Sequence, residues 1–145
     1  MERLLEYITR HPFLTGGTLA LALAVLAYEV SRARSGGESV GPMDAVRLIN
    51  QGALLVDVRS QAEFDAGHIR DARHLPQEQV AGAAESLKKF KDKVIVACCE
   101  SGMRSGAAAR VLRTLGFGKV VNLRGGLQAW RAENLPLVRS EGKGR

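Results

Sequence analysis

Residues 94–105 have the sequence VIVACCESGMRS, in which an apolar run passes through a short polar loop into a helical pattern. Residues 94–98 are almost continuously apolar, which is typical of a strand covered on both faces. Residues 103–115 place small and apolar side chains on one side and are followed by Gly116, so they predict a helix. A strand that passes directly into a helix is half of a βαβ unit, and this stretch therefore predicts a parallel sheet.

The same alternation extends along the chain in both directions from this stretch. Before it, the pattern predicts a helix over 43–51, a strand over 53–58, a short helix from 60 to 66, a strand over 72–75 and a helix over 79–87. After it, the pattern predicts a strand over 120–123, a turn at 125–126 and a helix over 127–133. The predicted fold class is α/β, with a mainly parallel sheet and helices on both faces.

The composition is that of a globular domain joined to an apolar segment. The chain has 145 residues, 46% of them hydrophobic and 25% charged, with a formal net charge of +6. These values exclude wholesale disorder and a protein with many membrane spans, and they leave room for one domain of ordinary size. Two cysteines are too few for a disulfide scaffold.

Residues 12–28 carry no formally charged side chain, and their core is LALALAVLA at positions 19–27. The run predicts a transmembrane helix over residues 12–30, because it is apolar on every face and is flanked by basic and aromatic residues. A cleavable signal peptide and a buried core helix are the alternatives. Two basic residues precede the run and two follow it closely, so charge does not predict its orientation.

These patterns divide the chain into five predicted segments. An N-terminal flank covers 1–11, and the transmembrane helix covers 12–30. A linker rich in glycine and serine covers 31–39, and the α/β domain covers 40–138. A polar tail covers 139–145.

The loop after the apolar strand is the candidate reactive site. Ligands of open α/β sheets bind beyond the carboxyl ends of the strands, and the loop at 99–105 lies there. Its backbone N–H groups, the start of the following helix and the charge of Arg104 all favour an anion. Such surroundings promote ionisation of a thiol, so Cys99 is predicted to be a reactive thiolate. The alternative is that Cys99 is a small buried hydrophobic residue.

At this point the sequence resembles the rhodanese (sulfurtransferase) family over about residues 40–135. The active-site loop of that family is matched by Cys99–Ser105. Its first signature and its closing strand, turn and helix are matched by Val56-Asp57-Val58-Arg59, Glu63-Phe64, Gly67-His68-Ile69, Ala72, Pro76, Leu115-Gly116-Phe117, Val121-Asn122-Leu123, Gly125-Gly126 and Ala129-Trp130. The N-terminal anchor and the ending at 133–139 resemble the membrane-tethered, single-domain bacterial members.

The resemblance implies transfer of sulfane sulfur through a persulfide on Cys99, from a small donor such as thiosulfate or a persulfide to a thiol acceptor. Backbone amides of 100–104 would hold the persulfide, and Arg104 would help to bind the donor and orient the loop. The implied substrate-binding residues are Glu100, Ser101, Gly102, Met103, Arg104 and Ser105. Asp57, Arg59 and His68 are expected to be structural neighbours, the first two as an ion pair. Neither a metal nor an organic cofactor is expected.

Two details of the loop refine this expectation. Four residues separate Cys99 from Arg104, whereas the related cysteine phosphatases have five, which make a wider cradle suited to phosphate. Members of the family often have a basic residue directly after the cysteine, where this chain has Glu100. A carboxylate there opposes thiolate formation and repels a dianion, which predicts that thiosulfate is a poor donor.

The remaining expectations concern surroundings and partners. Cys98 is expected to face the core, because adjacent strand residues point to opposite faces, although a resolving role is an alternative. Trp130 is expected in the core. The lysines at 88–93 lack interleaved aromatic residues, so no nucleic-acid partner is expected. The expected partners are a sulfur donor, a thiol acceptor and the lipid bilayer, and the anchor leaves room for a membrane protein as a further partner.

The expected location is the bacterial inner membrane, with a single pass and a cytoplasmic domain, because the cytosol keeps a free thiol reduced. The alternative function is a catalytically weak binding module held beside a membrane partner.

Overall fold

The computed structural model describes residues 10–35 and 38–140, and the chain divides into two compact units after Ser35. Residues 1–9, 36–37 and 141–145 lie outside the described residues. The predicted N-terminal flank, linker and polar tail fall partly on them, and these three segments remain predictions.

The first unit contains helix α1 (Pro12–Ser35), whose large apolar side chains from Phe13 to Val30 are exposed. Its part from Pro12 to Val30, 19 residues, is long and apolar enough to cross a membrane. At about 1.5 Å per residue this part spans roughly 28 Å, close to the hydrocarbon thickness of a bilayer. The hydroxyls of Thr15 and Thr18 donate hydrogen bonds to the carbonyls of His11 and Leu14, at 2.8 and 2.9 Å. Helix α1 is thus a candidate membrane span over the residues that the sequence predicts.

The second unit is built on a five-stranded sheet. Its strands are β1 (Ser39–Val40), β2 (Leu54–Asp57), β3 (Arg73–His74), β4 (Ile95–Cys98) and β5 (Val120–Leu123), in the order β1-β5-β4-β2-β3. The pairings among these five strands are all parallel. Strand β4 is central and all of its residues are buried, as its apolar sequence predicts.

Helices cover both faces of this sheet, which confirms the predicted α/β fold. Helix α4 (Met103–Thr114) and a 3₁₀ helix (Gln77–Gly82) contribute to the apolar cluster on one face. Helices α2 (Pro42–Asn50) and α5 (Gly126–Ala132) contribute to the cluster on the other. The short helix α3 (Gln61–Ala66) follows β2 and begins with a capping box, in which the Ser60 amide donates to Glu63 Oε2 at 3.0 Å.

The sequence prediction is wrong over residues 79–87. The chain there forms the 3₁₀ helix Gln77–Gly82 followed by turns, and a second 3₁₀ helix at Lys88–Phe90, where an α-helix is expected. Val80, Ala83 and Leu87 are buried, at a spacing that suits either kind of helix, and Gly82 disfavours the longer α-helix. Strand β1 is an element that the prediction lacks, and its Ser39 lies in the predicted linker and pairs with Asn122 of β5.

Candidate active site

The loop that carries Cys99 lies at the carboxyl end of the central strand β4. Helix α4 begins at Met103, so the loop consists of four residues. Gly102 has φ +95°, and a Cβ there would lie 3.2 Å from the Leu123 carbonyl oxygen and from the Gly125 nitrogen. Both the left-handed backbone and the close approach require glycine, so Gly102 makes this tight turn possible.

The Cys99 sulfur lies inside the loop, among hydrogen-bond donors. The Gly102 amide donates to Sγ at 3.0 Å, and the Ser105 hydroxyl oxygen lies 3.3 Å from Sγ. The residue has no exposed surface. Burial has the largest influence on the pKa of this thiol and raises it, but hydrogen bonds from the Ser105 hydroxyl and from the amides of Ser105, Gly102 and Ser101 outweigh burial and lower the pKa.

The neighbouring Cys98 lies on the opposite face of the sheet. It belongs to the apolar cluster of helices α2 and α5, together with Trp130, and it is fully buried. Burial raises the pKa of the Cys98 thiol well above its ordinary value, and the nearby charge of Asp57 raises it further. Cys98 and Trp130 therefore face the core, as predicted.

Arg104 is held by an acidic partner that lies far away in the sequence. Its Nη1 and Nη2 atoms donate to Oε2 and Oε1 of Glu63 at 2.9 and 2.8 Å, a bidentate pair across 41 residues. These bonds lower the pKa of Glu63 to about 2, against the opposing effect of burial, and bonds from Ser60 assist them. Arg104 thus ties the start of α4 to α3, which suits the loop-orienting role that the resemblance implies, while its part in binding the donor stays a prediction.

Glu100, the departure from the family pattern, is paired with basic residues. Its carboxylate accepts a hydrogen bond from Arg131 and lies 3.5 Å from Nη1 of Arg59. Arg59 is buried and is bound to Asp57, with Nη2 and Oδ2 2.8 Å apart. The predicted Asp57–Arg59 ion pair is therefore present, and it extends to Glu100.

The third predicted structural neighbour, His68, packs against α3 and the end of the domain. Its ring stacks on Phe64 with centroids 3.8 Å apart, and Nδ1 lies 2.8 Å from the Phe64 carbonyl oxygen. Its backbone exchanges two hydrogen bonds with Val138, each 2.8 Å long. His68 thus fixes the turn beside Arg59, whose Nη2 atom donates to the Gly67 carbonyl at 2.7 Å.

The backbone of helix α5 clamps the loop from the other side. The amide of Leu127 donates to the Cys99 carbonyl at 2.8 Å, and the amide of Gln128 donates to the Glu100 carbonyl at 3.1 Å. A Cβ on Gly126 would collide with the Cys99 carbonyl oxygen. The Gly125-Gly126 pair thus allows α5 to approach the loop, a role beyond the turn that the sequence predicts.

Asn122 of β5 is a site residue to which the sequence analysis assigns no role. Its Nδ2 donates to the Gly102 carbonyl at 2.9 Å, and its Oδ1 lies 2.6 Å from the Ser105 hydroxyl oxygen. The available signal is an amide within a strand of otherwise apolar residues, Val120–Leu123. Ser105 is buried, and this contact places it at the floor of the loop, whereas Ser101 and Met103 are exposed.

A groove of about 550 Å³ lies beside the loop. Its walls carry charges of both signs, including Glu100, Arg131 and Arg139. Within residues 10–35 and 38–140, no three His, Cys, Asp or Glu side chains come together in a way that could hold a metal ion.

The fold and the loop agree with a comparison of the chain with known families. Residues 42–133 match the model of the rhodanese-like domain. The match covers more than half of the chain, and the protein therefore belongs to the rhodanese-like family.

Three relatives illustrate the range of this similarity. The uncharacterized protein YibN of Escherichia coli (strain K12) is 36% identical, over 97% of this chain and 100% of its own. A sulfurtransferase of Allochromatium vinosum is 44% identical over 61% of this chain and 81% of its own. The crystal structure of a rhodanese-related protein from Thermoplasma volcanium has a TM-score of 0.62 and 30% identity, covering 72% of this chain and 100% of that one. The family thus includes named sulfurtransferases, and similarity to YibN extends through the N-terminal region.

Proposed function

We propose that this protein is a membrane-anchored sulfurtransferase that carries sulfane sulfur as a persulfide on Cys99. The observation that supports this most directly is the cluster of donors around Sγ, with the Gly102 amide at 3.0 Å. The donors lower the pKa of the thiol despite its burial. A thiolate is the form that attacks sulfur, and the sulfurtransferase of Allochromatium vinosum provides family support.

The proposed reaction has two displacements at sulfur. The Cys99 thiolate attacks the outer sulfur of the donor and forms a new S–S bond, while the donor's own S–S bond breaks. The leaving group, a thiolate or sulfite, takes the electron pair of that bond. An acceptor thiolate then attacks the outer sulfur of the persulfide, and Cys99 leaves as a thiolate. Electrons balance without an oxidant, and neither step needs a metal or an organic cofactor.

The loop must yield slightly for this chemistry, because Cys99 has no exposed surface in the described conformation. The adjacent groove offers a path for the donor and the acceptor. In this proposal Arg104 orients the loop through Glu63, and the amides of residues 100–104 hold the outer sulfur. The charge of Glu100 still disfavours thiosulfate, but Arg131 and Arg59 reduce its effect.

Loading of the full chain tests the proposed function. The detergent-solubilised protein is incubated with thiosulfate or with a low-molecular-weight persulfide, and its intact mass is measured. We expect the mass of one added sulfur atom in the wild type and in Cys98→Ala, and no addition in Cys99→Ser. A dithiol should remove the added sulfur. An adduct that persists in Cys99→Ser would contradict the assignment.

We also propose that helix α1 crosses the bacterial inner membrane once and leaves the domain in the cytoplasm, where a free thiol remains reduced. A membrane-impermeant thiol reagent should therefore label Cys99 in lysed cells and fail to label it in intact ones. The Cys98→Ala variant is used, so that only one cysteine can react. Efficient labelling in intact cells would place the domain on the other side.

A binding module is the second candidate function, and it is favoured by the closed loop and by the engagement of Arg104 with Glu63. In that case the anchor holds the domain beside a membrane protein, and Cys99 has little activity. Failure of every donor to add sulfur to the wild type, in a preparation whose thiol remains free, would support this alternative.

A further inference from the structure

Asn122 contacts both sides of the sulfur loop. It pairs with Ala97 in the sheet, and Ala97 and Cys99 lie on the same face because alternate strand residues share a face. This register directs the Asn122 side chain towards helix α4, where it meets Ser105 and the Gly102 carbonyl.

The orientation of the Asn122 amide is fixed by its partners. The Gly102 carbonyl can only accept, so the nitrogen of the amide must face it, at 2.9 Å. The oxygen Oδ1 therefore faces Ser105, and it too can only accept. A contact of 2.6 Å between Oδ1 and the Ser105 oxygen then requires the proton of that hydroxyl.

Ser105 has one hydroxyl proton and two acceptors within reach. The Cys99 sulfur is 3.3 Å away, considerably farther than Oδ1. The backbone amides around Sγ can donate to the sulfur in either arrangement, but the hydroxyl can serve only one acceptor at a time.

We propose that Asn122 is a positioning residue, whose amide competes with Cys99 for the Ser105 proton and so weakens the hydrogen bond that this hydroxyl donates to the sulfur. The hydroxyl then stabilises the Cys99 thiolate less than it would if its proton were committed to the sulfur. Nucleophilicity falls as a thiol becomes more acidic, and the best attacking thiol has a pKa near the ambient pH. Asn122 thus prevents the loop from acidifying Cys99 too far. The inference relies on the proposed function only in treating Cys99 as the reactive sulfur.

The test is a pH titration of the Cys99 thiolate by its ultraviolet absorbance, in detergent, with matched Cys99→Ser proteins as baselines. In the wild-type background, Ser105→Ala should raise the midpoint by less than about half a pH unit, because the hydroxyl shares its proton between the sulfur and Asn122. In an Asn122→Ala background, the Ser105 proton is committed to the sulfur, so Ser105→Ala should raise the midpoint by about one pH unit. Arg104, the charged group that acts on Cys99, and Cys98, its neighbour on the strand, are unchanged in all four proteins.

An equal rise in the two backgrounds would overturn the proposal, since Asn122 would then not limit the donation from Ser105. Absence of a rise in the Asn122→Ala background would overturn it as well. If Asn122→Ala does not fold, Asn122→Val takes its place, because valine also lacks the amide and suits a strand. The titration needs no sulfur donor, so its result is independent of whether the protein transfers sulfur.

Discussion

Cys98 and Cys99 are consecutive residues of one chain, and both are completely buried, yet their thiols differ in chemistry. Cys98 lies in an apolar cluster with Val96, Leu127 and Trp130, and burial raises its pKa. Cys99 lies on the other face, where hydrogen-bond donors lower its pKa. Burial alone therefore does not determine the state of a thiol in this domain.

The difference arises from what surrounds each sulfur. A buried thiolate is costly unless donors replace the water that it loses. The end of β4 provides them on one face only, because the loop after Cys99 turns its amides inward, whereas the Cys98 face is covered by apolar side chains of helices α2 and α5. Strand alternation is thus sufficient to place two neighbouring thiols in surroundings that shift their pKa values in opposite directions.

The largest expected effect is the difference between the two cysteines in alkylation by iodoacetamide. At neutral pH, Cys98→Ala, which retains Cys99, should react on the order of a thousandfold faster than Cys99→Ser, which retains Cys98. The reason is the opposite directions of the two pKa shifts. Rates are measured by intact mass as a function of pH.

The same two proteins in denaturant provide the control, since both thiols should then react at similar rates. Equal alkylation rates in the native state would show that the hydrogen-bond donors around Cys99 do not make its thiol more reactive than that of Cys98. Slow reaction of both would show that access through the loop limits alkylation.

The second effect concerns the backbone contact by which helix α5 clamps the loop that carries Cys99. Gly126→Ala places a methyl group against the Cys99 carbonyl and imposes φ +57° on alanine, and it should lower the free energy of unfolding by about 3 kcal/mol. Denaturation is followed by the fluorescence of Trp130, the single tryptophan of the chain. Gly118→Ala is the control, since nothing lies within 4 Å of the added methyl. Equal stability of the two variants would contradict a tight clamp.

The fold was largely predictable from sequence because its central features are local. The apolar strand before Cys99, Gly102 in the loop and the small residues of α4 specify a strand, a turn and a helix without reference to the rest of the chain. Strand β1 is different, because its two residues are recognisable only through hydrogen bonds such as that from the Arg124 amide to the Val40 carbonyl, at 2.8 Å.

The predictions for the site also divide into those that depend on neighbouring residues and those that depend on residues far apart in the sequence. Cys99 and the Asp57–Arg59 pair follow from spacing within a few residues. The partner of Arg104 does not, because Glu63 lies 41 residues away and each could bind other groups. The role of Asn122 could not be predicted for a similar reason. An amide in a strand has no evident role until the register of the sheet places it beside Ser105.

The third effect tests the long-range ion pair between Glu63 and Arg104, on the Cys99 side. Glu63→Gln should lower the free energy of unfolding at neutral pH by about 1 kcal/mol, a modest value because both side chains are partly exposed. Asp65→Asn is the control on the same helix, where Asp65 accepts a hydrogen bond from Gln61. Both are measured by denaturation with Trp130 fluorescence.

The pH dependence of this loss has a defined sign. The pKa of Glu63 is about 2 in the folded protein, below its ordinary value of 4.5. The carboxylate therefore stabilises the fold fully above pH 4.5 and loses this contribution as the pH falls towards 2. The difference between wild type and Glu63→Gln should shrink over that range. A difference independent of pH would indicate lost packing instead of a lost charge.

The smallest effect concerns Glu100, which directly follows Cys99 in the chain. Because Arg131 and Arg59 already offset its charge, Glu100→Gln should lower the KM for thiosulfate only about threefold. The gain should disappear at high salt, which screens the guanidinium groups that the variant releases. Glu133→Gln, an equal change of charge at an exposed site, is the control. If both variants change the KM equally, only the net charge matters, and Glu100 does not discriminate against the dianion.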